Sequence, residues 1–524
     1  MSFGRYNGKI NKKGTMKKVF EVGKDRLTIE DVVNVAKGKC KVRLSEDSAF
    51  VKKIDGGAAF LDEVLATRGG VYGVTTGYGD SCTQVLSRDH YYDLPVHLTR
   101  FHGCGLGDFF DVETTRAIIL VRLNTLAQGF SGVSYELLKR LAQLLEHDIL
   151  PLIPEEGSVG ASGDLTPLSY VAGTLIGERE VLYKGEHSDA AHVLKELGIP
   201  VYKFRPKEAI AIMNGTAVMN AVACMAYSRA EYLSDLACRI TAMMVIALKG
   251  NDYHFNKRLF EAKPHPGLET AAKKIREVLS EDQRRGVIPE KLQDAYSLRC
   301  APHVIGMFYE TAPLFRQMIE IEMNSANDNP LVDPVTESIF HGGHFYGGHI
   351  CFVMDSLKNI VANTADLLDR QLAMVVDIKF NRGLPANLTG SGDLISFNHG
   401  FKAVQIAASA WTAEALHLTM PMSVFSRSTE CHNQDKVSMG TIAARDCIRI
   451  LELSEQVTIA TLLAVTQAIR LRLAKKEITE ERIKGVRKTF EQTCSFYPLL
   501  VEDRPMDKEL RKGLELMREK FWEL

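Results

Sequence analysis

Residues 441–484 read TIAARDCIRILELSEQVTIATLLAVTQAIRLRLAKKEITEERIK, without a glycine or a proline and with apolar side chains recurring at helical spacing. At ~1.5 Å per residue, a segment of this kind predicts a single helix of about 50 Å or more. Thr216 to Lys249 and His349 to Arg382 share the same texture. Within the first of these, Met243, Met244, Val245 and Ile246 spread apolar groups over most of the circumference, so the helix is expected to be buried on several sides. No stretch alternates strongly enough to build a sheet of any size, and no repeat or low-complexity linker is present. The expectation is a mainly α protein with a long central helical bundle.

Working outward, the chain before Gly215 is broken by frequent glycine and proline, with helices expected over Val112 to Ala127 and Tyr135 to Leu145. This divides the sequence into an N-terminal extension (1–20), a loop-rich N-terminal lobe (21–215) and a long-helix bundle with C-terminal helices (216–524). A chain of 524 residues, 45% hydrophobic, has material for more than one lobe.

Lysine and arginine number 64 against 65 acidic residues, giving a net charge of -1 without a basic run, which argues against nucleic acid as a partner. The first thirty residues lack the apolar core of a secretory signal. The most apolar window, Ile240 to Leu248, is too short to cross a bilayer, so no membrane association is expected. Ten cysteines without a C-x-x-C pair point to packed thiols in a cytoplasmic setting. His341, His344 and His349 lie in HGGHFYGGH, which lacks the helical spacing and neighbouring carboxylate of a zinc site, and no metal is expected.

The chemistry concentrates in Gly157 to Ser169, GSVGASGDLTPLS. If the Gly163 nitrogen attacks the Ala161 carbonyl, a five-membered ring closes, and loss of water from Ser162 leaves an exocyclic methylene open to nucleophiles. Gly163 tolerates the compressed backbone, Ala161 leaves its carbonyl unshielded, and Asp164 suits a helix cap before the helix expected from Leu165. Gly390-Ser391-Gly392-Asp393-Leu394 nearly repeats the pattern, but lacks the apolar, proline-punctuated approach of Ile149 to Pro154 and reads as an ordinary loop.

Glycines also crowd GGVYGVTTGYG, residues 69–79, which has no lysine for a phosphate loop and so implies no nucleotide. Tyr72 sits between glycines there. Near its ordinary pKa of ~10 a tyrosine is a poor base, so positive charge or aligned donors must stabilise its phenolate. Polar groups cluster again in Met213-Asn214-Gly215-Thr216, in QDAYSLR (293–299), in NSANDNP (324–330) and in NQDKVSM (433–439).

Together and in this order, over roughly residues 20 to 500, these motifs resemble the aromatic amino acid ammonia-lyases, the family of histidine, phenylalanine and tyrosine ammonia-lyases and related aminomutases. The resemblance implies an α-helical, fumarase/aspartase-like fold and a homotetramer whose sites are assembled from several subunits. It implies that Ala161, Ser162 and Gly163 become a methylidene-imidazolone, and that Tyr72 is the general base. Asn214 and Tyr296 would support electrophile and substrate, Gln293 would be an active-site amide, Arg299 would grip the substrate carboxylate, and Phe345 would pack beside the ring. Where many members read Gly-Gly-Asn-Phe-His, this chain has His344-Phe345-Tyr346 after its glycines.

Phe101 and His102 occupy the family's selectivity position. Phenylalanine at the first place resembles phenylalanine-selective members, and histidine at the second resembles histidases and tyrosine-acting members. Gln434 stands where histidases carry a glutamate, whose charge suits an imidazole substrate, and a neutral amide does not supply that charge pairing. The favoured reading is non-oxidative deamination of L-tyrosine to 4-coumarate and ammonia, with His102 hydrogen-bonded to the phenol. The alternatives are phenylalanine or histidine ammonia-lyase and a tyrosine 2,3-aminomutase. Outside the family stand an inactive helical scaffold and a metal-dependent hydrolase using the 341–349 histidines.

Overall fold

The computed structural model describes residues 18–279, 292–390 and 397–524. Residues 1–17 of the expected extension and 391–394 of the second Gly-Ser-Gly-Asp-Leu stretch lie outside the described residues. The chain forms two compact units. One comprises the described residues up to Pro154, with Thr166–Ala217 and Met323–His344; the other comprises Glu155–Leu165, Val218–Glu322 and Phe345–Leu524.

The first unit carries α1 (Ile29–Ala36), α2 (Ser48–Thr67), α3 (Leu94–Phe101), α4 (Val112–Leu126), α5 (Tyr135–Glu146), most of α6 (Leu165–Leu175), α7 (Ala190–Glu196) and α8 (Glu208–Met213). Side-chain caps start several of them: Thr28 in a capping box with Asp31, Asp47, Asp111 and Ser134. Helix α4 is buried from Ala117 through Leu126 and packs against α1 and α5. Strands are short, as the weak alternation predicts. Val19–Val22 pairs in parallel with Lys41–Leu44, while Leu150–Pro151, Glu180–Tyr183 and Glu186–Asp189 form an antiparallel trio. Leu331–Asp333 pairs with Ser338–Phe340.

The second unit carries α9 (Ala217–Ala247), α10 (Lys257–Glu261), α11 (Pro266–Arg276), α12 (Tyr296–Arg299), α13 (Ala301–Met323), α14 (Gly348–Val376), α15 (Lys402–His417), α16 (Gly440–Ala474), α17 (Arg487–Cys494) and α18 (Asp507–Arg518). The three glycine- and proline-free segments are α9, α14 and α16. Helices α14, α15 and α16 pack on one another, and α17 and α18 lie against α16. Buried polar links tie in α9: Arg229 pairs with Glu455 of α16 at 2.8 Å, and Gln371 of α14 donates to Thr241 at 3.0 Å.

Among the described residues, α16 has the length and apolar composition to cross a bilayer, a segment that the short window Ile240 to Leu248 did not include. Of its most apolar window, 83% is buried inside the protein, so its hydrophobicity serves the core.

Near the end of α16, the fully buried Arg472 donates to the carbonyls of Ala247 (3.0 Å), Asn381 (2.6 Å) and Arg382 (3.0 Å), and its charge is matched by Glu477. The carbonyls it satisfies lie at or just beyond the C-terminal ends of α9 and α14. Arg472→Ala strips their donor and leaves Glu477 with Lys249, 3.2 Å away, as its remaining cationic partner, and is expected to cost about 3–5 kcal/mol, read as a lowered urea midpoint.

Candidate active site

In the second unit, residues 155–165 form a loop pinned from several sides through Asp164. One carboxylate oxygen of Asp164 accepts the amides of Val218 (3.0 Å) and Met219 (2.9 Å), the first turn of α9. The other accepts the hydroxyls of Ser158 (3.1 Å) and Thr441. Asp164 is therefore a cap, but of α9, which lies more than fifty residues on, rather than of the helix that follows it. Burial pushes its carboxyl upward, while Thr441, Met219, Ser158 and Val218 pull it back. All four neighbours donate, so the geometry accommodates the anion.

The same loop lies tightly against the start of α16. The Met439 amide donates to the Val159 carbonyl at 3.0 Å and the Ser438 hydroxyl to the Gly160 carbonyl at 3.2 Å. A Cβ on Gly160 would collide with that hydroxyl. Gly163 adopts φ 72°, a left-handed conformation that side-chain-bearing residues reach only with strain. Ala161 and Ser162 remain partly exposed between these anchors.

Ser162 and Gln434 are brought together: the Gln434 amide donates to the Ser162 hydroxyl at 3.3 Å. Its carbonyl end accepts from Thr429 at 3.1 Å, and the backbones of residues 429 and 434 pair across a tight turn. Tyr346, at the departure from the common family pattern, donates to the Val437 carbonyl at 3.5 Å, tying its loop to the Gln434 segment. Phe345 beside it is half-buried.

Tyr296 and Arg299 are also brought together, on α12. The guanidinium lies 4.5 Å over the Tyr296 ring, and Arg299 Nε donates to the Asp294 carbonyl at 3.0 Å. The two terminal nitrogens of Arg299 take no partner among the described residues. Asp294 is itself fixed by the Asn251 amide (2.6 Å) and Arg382 (3.1 Å), and its own amide donates to His254 at 3.0 Å. Gln293 is exposed.

In the first unit, the glycine-rich loop is held by Val71 and Val74, which are buried with Phe60, Leu61, Val64 and Val332. Between these anchors stands Tyr72, whose hydroxyl oxygen accepts the Gly79 amide at 2.8 Å. The Tyr72 amide donates to His341 Nε2 at 3.3 Å, and Gly342 donates to the Asn329 side chain at 2.8 Å. The Asn329 carbonyl accepts from the Asn214 side chain at 2.9 Å, so a hydrogen-bonded path joins Asn214 to the Tyr72 backbone. His341 thus serves the loop. Among the described residues no group of histidine, cysteine and carboxylate side chains is gathered to hold a metal ion.

Buried Arg122 fixes Asn214 by donating to its carbonyl at 3.0 Å, and to the Asn327 side chain at 2.8 Å, which in turn donates to Thr216 at 3.0 Å. The Asn214 side-chain oxygen is buried without a partner among the described residues. At the end of α3, the rings of Phe101 and His102 lie 4.4 Å apart. His102 Nδ1 is 3.1 Å from the Leu98 carbonyl. A carbonyl only accepts, so Nδ1 carries the proton and Nε2 of the neutral ring keeps its lone pair. Burial lowers the His102 pKa and favours that neutral form.

The family model for aromatic amino acid lyases matches residues 27–492. The chain belongs to the aromatic amino acid lyase family. It is 34% identical to a histidine ammonia-lyase from Caldanaerobacter subterraneus over 96% of this chain and 97% of the relative. Among solved structures, tyrosine aminomutase from Streptomyces globisporus superposes with a TM-score of 0.88 at 32% identity, covering 96% of this chain and 97% of the other. Histidine ammonia-lyase from Trypanosoma cruzi gives 0.86 at 29%, with coverage of 96% and 94%. The protein is an ammonia-lyase with the helical, fumarase/aspartase-like fold of these enzymes.

Sequence reading missed three supports of this lyase's motifs. Arg122 sits inside the apolar run of α4, where no motif marks it, and is fully buried. The Asp294–Arg382 pair joins residues 88 positions apart. Asp164 looked local and acts at a distance. Asp164→Ala leaves the Val218 and Met219 amides buried and unpaired, and should cost about 2–4 kcal/mol, seen as a lower thermal midpoint. Asp164→Asn keeps one acceptor and should lose less.

Proposed function

We propose that this lyase removes ammonia from L-tyrosine to give 4-coumarate, using a methylidene-imidazolone formed from Ala161, Ser162 and Gly163. The loop geometry fits ring closure. Gly163 already occupies a left-handed conformation, Gly160 has no room for a side chain, and Ser162 and Ala161 are partly exposed. Once formed, the group supplies an electrophile that makes the substrate amine a better leaving group.

The protein's own side chains supply the rest. The terminal nitrogens of Arg299 suit the substrate carboxylate as a two-pronged clamp, with the guanidinium held flat on Tyr296. The buried, unpartnered oxygen of Asn214 suits the substrate ammonium as donor. Tyr72 Oη takes the β-proton, and the Gly79 amide pointing at that oxygen favours its phenolate. Phe345 packs beside the reacting group, and Gln293 contributes a polar contact.

The observation that carries tyrosine is the tautomer of His102. With Nδ1–H given to Leu98, Nε2 accepts from a phenol, and Phe101 covers the ring. Gln434 supports the same choice, because its neutral amide, held at its carbonyl end by Thr429, offers no charge to an imidazole. Histidine stands as the second reading because the curated relative compared above is named a histidine ammonia-lyase.

The assembly inferred is a homotetramer. On α13, Met307, Leu314 and Ile321 recur every seventh residue and are 43%, 46% and 47% exposed, an apolar stripe suited to another helix. A cytoplasmic setting agrees with ten cysteines held in no disulfide among the described residues, several of them exposed.

The purified chain is expected to be lighter than its sequence by two waters, and Ser162→Ala to restore the full mass and abolish turnover. Ultraviolet assays with tyrosine, phenylalanine and histidine separately should favour tyrosine. Product from histidine alone overturns the assignment, and a β-amino acid product makes the enzyme an aminomutase. A neutral His102 is required, so activity is retained above its pKa and lost as pH falls through it. The acid limb of kcat/KM for tyrosine should therefore lie below the ordinary imidazole value of 6.5. His102→Leu should remove that limb and cut kcat/KM for tyrosine by about tenfold or more.

A further inference from the structure

Tyr78 closes the glycine-rich loop that carries Tyr72. Its ring lies over Gly73, where a Cβ would stand 2.7 Å from Tyr78 Cε1 and 3.2 Å from Ile210 Cδ1, so the loop is shaped to receive this ring. Gly73 adopts φ 66°, which reinforces the requirement for glycine. On its other side the ring stands 6.5 Å from Phe101, inclined at 57°. Phe101 in turn stacks on His102. Tyr78 therefore extends the aromatic wall formed by Phe101 and His102.

The residue as a whole is partly exposed, yet its hydroxyl oxygen is sealed from solvent and has no hydrogen-bond partner among the described residues. Burial, with Tyr72 nearby, pushes the phenol far above its ordinary range, so it stays protonated and is a committed donor. A phenylalanine would fill the same wall without burying an unsatisfied hydroxyl, which is costly to leave unpaired. The arrangement is economical only if a ligand completes the hydrogen bond.

We propose that Tyr78 is a further specificity-determining residue, whose hydroxyl donates to the ring oxygen of a hydroxylated aromatic substrate while His102 accepts that oxygen's proton. The inference rests on the tyrosine reading. A phenol both donates and accepts, so it satisfies the His102 lone pair and the Tyr78 O–H together; phenylalanine satisfies neither. No charge changes and no covalent step is involved.

Tyr78→Phe removes one oxygen and keeps the ring. Wild type is first assayed with tyrosine, phenylalanine and histidine; activity on histidine alone overturns the tyrosine reading and this inference with it. With tyrosine accepted, the variant is expected to lose about tenfold or more in kcat/KM for tyrosine, with phenylalanine unchanged or improved. Equal losses on both substrates, or an unchanged ratio, overturn the role of Tyr78 and leave the tyrosine reading standing. A shift in the basic limb of the pH profile without altered discrimination also overturns it, since the hydroxyl would then act through Tyr72. Should turnover be too low, competitive binding of 4-coumarate against cinnamate replaces it. A selective loss of 4-coumarate affinity supports the inference, and parallel affinities overturn it.

Discussion

The buried carboxylate of Asp164 is the interaction on which the second unit's chemistry depends. It gathers two amides from the first turn of α9 and hydroxyls from Ser158 and Thr441, so one side chain fixes the reactive loop relative to two long helices. An isolated carboxylate in such a place would be strongly disfavoured. Here the α9 N-terminus provides partial positive charge, and four donors occupy the oxygens. The loop's shape is thus set by groups that cannot move without unfolding helix ends.

A similar economy governs the first unit. The Tyr72 loop is anchored by buried valines, while hydrogen bonds through His341, Gly342 and Asn329 connect it to Asn214. Arg122 then secures Asn214 from within the core. Tyr72 and Asn214, both candidate site residues, are thus held by hydrogen bonds that fix their orientation from behind.

The long helices were legible because an unbroken apolar period over many turns has few other folded solutions. Helix α13 was not, since Gly306 and Pro313 interrupt its pattern. Gly306 is needed where α11 crosses closely: a Cβ there would meet the Gly267 carbonyl at 3.0 Å. Motif residues were readable by type, as with Ser162 and Gln434, Tyr296 and Arg299, or Phe101 and His102, each pair now seen in contact. Their supports were not, because Arg122, Arg382 and Thr441 act across long sequence separations that leave no local periodicity. The tautomer of His102 also needed coordinates, since it depends on where one carbonyl points.

The contacts around Gly160 and Asp164 have a temporal meaning. Ser438 and Thr441 are made long after Ala161, Ser162 and Gly163 leave the ribosome, and the reactive loop lacks its final walls until they arrive. The self-modification proposed for the tripeptide would therefore be an event of the finished chain: the nascent N-terminal part would carry an ordinary serine, and the proposed electrophile would form only after the start of α16 has been built against the loop.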